Sequence, residues 1–371
     1  MKEVGIYVHI PFCIRKCDYC DFVSFEKCSS KHNDYVNSVV WEIDNYKDNS
    51  FNVDTIYFGG GTPSVMDAEN IAKILKKIRE RFIVNQDAEV TIEVNPGTVT
   101  KAKLQRYYQI GINRLSIGLQ SSSKVLLKNL GRIHTYEDFL KTYELAKEVG
   151  FTNISVDLML GIPGQSIWSL KETLMQVIDK KPTHISCYSL ILEENTKLKY
   201  DVDNGIKTLP SEDEDRDMYW NMKRILEEHG YEHYEISNFA LPGFKCRHNL
   251  NCWNQKEYLG FGLASHGYMR GVRYSHTDKL IKYIANPVDI TIEERQSEHE
   301  QKREFMLLGL RKIEGASISD FERKFSVNPL FYFRFEISKL VEEELIEVDL
   351  DHVRLTKRGL DLANQVWMEF V

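Results

Sequence analysis

Cys13, Cys17 and Cys20 put three thiols within eight residues, spaced Cys-x3-Cys-x2-Cys. Thiolate is a soft donor that suits zinc or an iron–sulfur cluster. A structural zinc site takes four protein ligands, usually from two paired knuckles. No second Cys-x2-Cys occurs in the chain, although Cys28 and His32 could complete a zinc set, so zinc stays open on spacing alone. The favoured chemistry is a cubane [4Fe–4S] cluster on three cysteines, with one iron left for another ligand. Three reduced thiols that merely pack together are the bland alternative, set aside because reactivity or metal binding usually decides where cysteine is kept.

Cys28, Cys187, Cys246 and Cys252 are scattered, and the total of seven is odd, so no disulfide framework is expected. No apolar leader or bilayer-length run is present, which leads to the expectation of a reducing cytoplasm. At 371 residues, 42% hydrophobic, the chain can build two or three domains around a large core. A net charge of −7 opposes a broad nucleic-acid surface.

These thiols need a scaffold. Six short apolar segments, Gly5–His9, Thr55–Phe58, Glu89–Val94, Arg114–Ile117, Asn153–Leu158 and His184–Leu190, alternate with amphipathic stretches at Asp34–Tyr46, Ala68–Arg81, Tyr136–Val149 and Ser166–Asp179. Such alternation predicts parallel strands joined by right-handed helical crossovers. Six units are too few for a closed eight-unit barrel, and an open (β/α)6 barrel is the expected fold. The remaining unusual residues fall at the C-terminal ends of those strands, where such folds gather their chemistry. Gly59-Gly60-Gly61-Thr62-Pro63 follows the second strand, Glu93 and Asn95-Pro96-Gly97 end the third, Gln120-Ser121 follows the fourth, and Asp157 lies near the end of the fifth. The glycines allow close backbone approach to a ligand; the carboxylates and the amide can serve ribose hydroxyls or an ammonium. Arg132 could grip a carboxylate, though by itself it reads as an ordinary surface arginine.

The segment Tyr7-Val-His-Ile-Pro-Phe-Cys13-Ile-Arg-Lys-Cys17-Asp-Tyr-Cys20 resembles the radical S-adenosylmethionine (SAM) superfamily. More narrowly, it resembles the branch that holds oxygen-independent coproporphyrinogen III dehydrogenase, HemN, and the heme chaperone HemW. The resemblance runs over nearly the whole chain. It implies a partial (β/α)6 barrel, a [4Fe–4S] cluster on Cys13, Cys17 and Cys20, and SAM bound at the open iron through its amino and carboxylate groups. Reduction in that family cleaves SAM to methionine and a 5′-deoxyadenosyl radical. By the same resemblance Tyr7, Tyr19, Gly60, Gly61, Thr62, Glu93, Gln120, Arg132 and Asp157 match SAM contacts.

Two departures favour the chaperone branch over the dehydrogenase. Phe22 stands where the dehydrogenase carries a fourth cysteine, and few residues precede Tyr7. Arg247-His248-Asn249-Leu250-Asn251-Cys252-Trp253 resembles a His-Asn-x2-Tyr-Trp heme motif, with Cys252 in place of the tyrosine; it implies His248 as an axial heme ligand. The implied partners are heme or a porphyrinogen, a reducing electron donor and a heme-acceptor protein, membrane-associated ones included. The alternative is oxidative decarboxylation of coproporphyrinogen III. The expected organisation is a barrel over residues 1–230, a connecting region with the heme motif over 231–299, and a winged-helix-like α+β module over 300–371. Residues 301–371 hold 11 Lys/Arg against 13 Asp/Glu, which speaks for a lid or protein-docking role rather than DNA binding.

Overall fold

The computed structural model describes residues 2–48 and 50–371. Strand β1 (Lys2–Ile10) leads into the cysteine loop, which holds two short strands, β2 (Phe12–Cys13) and β3 (Phe25–Glu26). Five further strands follow with helices between them: β4 (Phe51–Gly60), β5 (Ile83–Val94), β6 (Arg114–Gln120), β7 (Asn153–Leu160) and β8 (His184–Ser189). The crossovers carry α1 (His32–Asn45), α2 (Ala68–Arg81), α3 (Lys101–Gln109), α4 (Lys124–Asn129), α5 (Tyr136–Val149) and α6 (Ile167–Asp179). All five neighbouring pairs from β1 to β8 are parallel, as the alternation requires.

The strands are two-faced. Val4, Ile6, Val8 and Ile10, Ile56 and Phe58, Leu115, Ile117 and Leu119 are buried in the apolar core. Their period-2 alternates are polar or glycine: Thr55, Tyr57 and Gly59; Thr91 and Glu93; Arg114, Ser116, Gly118 and Gln120; Ser155 and Asp157. The helices take the apolar face, α2 through Ile71, Ile74, Leu75 and Ile78. Many of the polar residues are left to the barrel lumen, where they line a cavity. Helix starts are fixed locally: Thr135 and Ser166 form capping boxes at α5 and α6.

The sheet goes beyond six strands. After α7 (Lys197–Asp203) and α8 (Glu212–Glu228), strands β9 (Glu232–Glu235) and β10 (Asn238–Ala240) extend the edge beside β8 antiparallel. Helix α9 (Arg247–Trp253) then returns the chain to the other edge, where β11 (Tyr258–Phe261) pairs parallel with β1. Strands β12 (His266–Met269), β13 (Val272–His276) and β14 (Ile290–Arg295) continue outward antiparallel, giving a twelve-stranded open sheet. The region 231–299 therefore contributes strands to both edges of the barrel sheet. Helix α10 (Leu280–Ala285) lies between β13 and β14. Helices α11 (Glu298–Gly309), α12 (Ile318–Phe325), α13 (Pro329–Tyr332) and α14 (Arg334–Glu342) accompany a separate three-stranded sheet of β15 (Ala316–Ser317), β17 (His352–Leu355) and β16 (Ile346–Val348). Their apolar residues form a second core, from Phe305 to Phe370. No helix among the described residues is long and apolar enough to cross a membrane.

Candidate functional site

The cysteine loop is pinned at both sides. Phe25 donates its N–H to Pro11 at 2.8 Å, Asp18 donates to the Leu130 carbonyl at 2.9 Å, and Leu198 donates to the Asp18 carbonyl at 2.6 Å. The Asp18 carboxylate also meets Lys197 at 2.9 Å and Lys207 at 3.4 Å. Within this frame the three thiols are free and half-buried. Burial pushes the Cys13 and Cys20 thiols up, Cys20 to about 11. The Thr62 hydroxyl, with Oγ1 3.5 Å from Cys13 Sγ, offsets part of that cost at Cys13, and Arg132 Nη1 donates to Cys17 Sγ at 3.5 Å. Among the described residues no three His, Cys, Asp or Glu side chains are placed to hold a single metal ion. Three soft sulfurs in one loop suit a cluster of several irons.

Beside the thiols lies a cavity of about 470 Å³. Cys13, Cys17, Cys20, Tyr19, Gly60, Gly61, Thr62, Glu93, Gln120, Arg132 and Asp157 all line it. Gly60 has φ +112°, and a Cβ there would sit 2.6 Å from the His9 ring, so the turn after β4 requires glycine. At Gly61 a Cβ would meet the Phe12 carbonyl at 2.9 Å. Glu93 accepts from Tyr57 Oη at 3.0 Å and from the Gly60 N–H at 3.2 Å. Asp157 accepts from Ser116 Oγ at 2.9 Å and Ser155 Oγ at 3.2 Å. Burial raises both carboxyls, Glu93 to about 7 with help from the Asp157 charge. Neither forms an ion pair among the described residues. Across the lumen, Arg132 donates through Nη2 to Asn95 Oδ1 at 2.9 Å, while its Nε is buried without a partner among the described residues. Burial works against the Arg132 charge, but Tyr19 and Cys17 beside it raise its pKa overall. Gly118 leaves a hollow where Arg132, Asn95 and Gln120 converge: a Cβ there would lie 3.0, 3.1 and 3.2 Å from their polar atoms.

Glu93 and Asp157 form no ion pair among the described residues, although the buried Arg114 charge favours both carboxylates; with Arg132 in the same lining, the lumen suits a ligand that carries both charges, as an amino acid with a sulfonium does. Tyr7 is not part of this lining. It stands behind Gly59 and stacks on Tyr57 at 6.3 Å between centroids, with its hydroxyl 3.1 Å from His9 Nδ1.

His248, the axial heme ligand that the motif implies, does not line this cavity either. The ring is buried, stacks on Tyr57 at 5.1 Å, and holds Thr55 Oγ1 at 2.9 Å from Nδ1. Burial lowers its pKa to about 4. The rest of the motif is also spent on packing. Glu89 accepts the His248 N–H at 3.1 Å, Asn251 donates to Asp54 at 2.9 Å, and Trp253 lies under Arg311 at 4.4 Å. Within the motif only Asn249 reaches the cavity lining.

The radical SAM superfamily model matches residues 7–177, and the HemN C-terminal domain model matches residues 296–362. Heme chaperone HemW of Lactococcus lactis is 36% identical over 100% of this chain and 98% of its own length. The chain belongs to the HemW family. Heme chaperone HemW of Bacillus subtilis is 35% identical over 98% of both chains. The solved structure of Escherichia coli HemN, coproporphyrinogen III oxidase, superimposes with a TM-score of 0.86 over 100% of this chain and 90% of that one, at 22% identity. That likeness carries the fold. Membership of the HemW family, within the radical SAM superfamily, implies a [4Fe–4S] cluster and SAM.

Several cavity residues escape a motif-based reading of this family member: Tyr57, Arg114, Ser116 and Ser186 all line the lumen. The available signal is the period-2 alternation of polar side chains along otherwise apolar strands. It places Tyr57 two before Gly59, Ser116 two before Gly118, and Ser186 two before Tyr188.

Proposed function

We propose that this chain is a heme chaperone: it carries a [4Fe–4S] cluster and SAM, binds heme, and passes it to an acceptor protein. Cys13, Cys17 and Cys20 would hold the cluster. Glu93 and Asp157 would take the ligand's positive charge, Arg132 its carboxylate, and Gly60, Gly61 and Thr62 would let its backbone-like portion approach β4. Tyr19 and Gln120 close the same wall, and Tyr7 supports it from behind. Bound there, a cluster would supply reducing chemistry toward SAM; the chain's own part is to orient the ligand and exclude water. The observation that supports the cofactor reading is the lining of the lumen, where two buried carboxylates that form no ion pair among the described residues and the Arg132 guanidinium share one cavity with three thiols. The task itself is supported by whole-length identity to proteins named heme chaperones.

The test is one anaerobic preparation carried through three assays. Reconstituted protein is expected to hold about four irons per chain, to bind SAM, and to bind hemin that later moves to an apo-hemoprotein. Conversion of coproporphyrinogen III to protoporphyrinogen IX by the same sample would overturn the chaperone reading in favour of the oxidase.

A further inference from the structure

Of the three thiols in the cysteine loop, Cys17 alone lines two cavities. It faces the lumen, and it also forms the inner wall of a smaller pocket of about 250 Å³ on the outside of the loop. Ile14 and Arg15 of the loop build one side of that pocket. Gly131, Ile133 and His134, which follow α4, build the other. Arg132 and Thr62, which meet Cys17 and Cys13, stand between the two spaces.

The surface around this pocket is apolar and basic. Ile14 is 55% exposed, Val125 67% and Ile133 56%, so three branched aliphatic side chains stand largely in solvent beside one loop. Helix α4 divides its residues by period: Leu126 and Leu127 turn inward, while Lys124, Val125 and Lys128 share the outer face and lead into the pocket wall at Gly131. Arg15, Lys124 and Lys128 are exposed, and none of them forms an ion pair among the described residues. Lys16 is turned away and donates to the Phe22 carbonyl at 2.9 Å. The nearby carboxylates are committed elsewhere. Asp138 accepts from the Thr135 N–H at 2.9 Å and its hydroxyl at 3.1 Å, and Asp18 is held by Lys197 and Lys207. Glu137, exposed at the start of α5, is the carboxylate left facing solvent along this stretch. In a chain of net charge −7 the patch is a local excess of positive charge.

We propose that this patch is the docking face for an acidic protein that carries single electrons. Its carboxylates would meet Arg15, Lys124 and Lys128, its apolar contact would be Ile14, Val125 and Ile133, and its redox centre would lie against the pocket, so that electrons enter on the Cys17 side. The inference rests on the cluster reading above and gives the reductant a place and a charge. The step balances without any change of bonds: the carrier is oxidised by one electron, the cluster is reduced by one, and no proton moves. Electron transfer weakens steeply with distance, which favours an approach that ends at a thiol. Of the two spaces that reach the thiols, the lumen is the one a cofactor ligand would fill, which leaves the outer pocket to the donor. Opposite charges speed such an encounter and orient it, and a small apolar centre within a charged rim is ordinary interface anatomy.

The test uses the anaerobically reconstituted full-length chain, with a reduced acidic flavodoxin as the probe. Titration calorimetry is expected to show binding that weakens as salt rises, and stopped-flow absorbance to show cluster reduction that slows with it. The double variant Lys124→Glu, Lys128→Glu should lower both the affinity and the reduction rate tenfold or more at low salt. Val125→Asp, which reverses no charge on the patch but spoils its apolar centre, should lower the affinity severalfold. All three are surface side chains, so iron content, SAM binding and reduction by photoreduced deazariboflavin, a small uncharged reductant, should stay as in the wild type. Wild-type affinity and rate in the charge-reversed chain, or wild-type binding that salt does not change, overturns this face alone. A wild type that holds its cluster but binds no flavodoxin at low salt overturns it as well. Self-association of the wild type that charge reversal abolishes, with no flavodoxin bound, would give the face to a second copy and overturn the proposal. A chain that assembles no cluster overturns the cofactor reading and this inference together.

Discussion

Glu93 keeps a proton in the folded chain over a pH range where a free glutamate has lost it. Burial is the main cause, and the nearby Asp157 carboxylate adds to it. With the folded value at about 7 against 4.5 for the free side chain, folded chains bind the extra proton between those limits. Stability from this group is therefore complete below pH 4.5 and lost as pH rises through 7, by about 3 kcal/mol in total. Glu93→Gln removes the titration. In urea unfolding of the reduced, cluster-free chain, the stability of Glu93→Gln relative to wild type should rise between pH 4.5 and 7 and then level off. A difference that does not change with pH would show that Glu93 is solvated. At this scale much of the site was legible: every matched cavity residue except Tyr7 was found lining one space. A motif records residue type and spacing, not which face of an element is covered, and Tyr7 and His248 both stand against Tyr57 outside that lining. His248 is a packing residue on Thr55 and Tyr57, a distinction only the fold can make.

At the scale of elements, α2 and α5 begin and end where helical periodicity and charge place them, Ala68–Arg81 and Tyr136–Val149. The strands run longer than their apolar cores. β5 starts at Ile83, yet Asn85, Gln86 and Asp87 hide its first half from any reading based on hydrophobic runs. β11 was not legible as a seventh parallel strand, since its four residues, Tyr258–Phe261, include a glycine, and their partner β1 lies more than 240 positions away. β6 carries a less obvious device. Its register with β7 shifts between Gly118 and Gln120, and Gln120 takes φ +69°, at the end of the strand where both residues line the lumen. Gly118 keeps that bulge open for Arg132, Asn95 and Gln120. Gly118→Ala should therefore fold, at a cost of about 1–3 kcal/mol for the overpacking. It should keep its iron but bind SAM at least tenfold more weakly. Equilibrium dialysis of SAM against the reconstituted variant checks this, and wild-type affinity would mean that the hollow at Gly118 is not the ligand's cradle.

For the molecule as a whole, the question is how the C-terminal module is coupled to the barrel. Their apolar cores are separate, one extending to Tyr283 and the other beginning at Phe305. The join between them is made largely by polar and aromatic contacts. Trp220 Nε1 donates to Asp361 Oδ1 at 2.8 Å, and Gln255 Nε2 donates to Glu304 Oε2 at 2.8 Å. Arg311 is the centre of the join. Its guanidinium sits 4.4 Å from the Trp253 ring on the barrel side and 5.1 Å from the Trp367 ring on the module side. Its Nε is buried with no hydrogen-bond partner among the described residues, so the rings carry much of the compensation for its desolvation. A desolvated cation–π contact is worth about 2 kcal/mol. Arg311→Ala removes two and leaves a gap between the tryptophans, while neither core loses a member. Hydrogen exchange should then accelerate roughly thirtyfold in α14, Arg334–Glu342, for each 2 kcal/mol of lost coupling, whereas β5 to β7 keep their wild-type protection. Equal acceleration in the barrel strands would show one cooperative unit instead of two joined ones, and unchanged exchange throughout would remove Arg311 from the coupling. Acceleration confined to α14 would give Trp253 a structural role, holding the module against the barrel through Arg311.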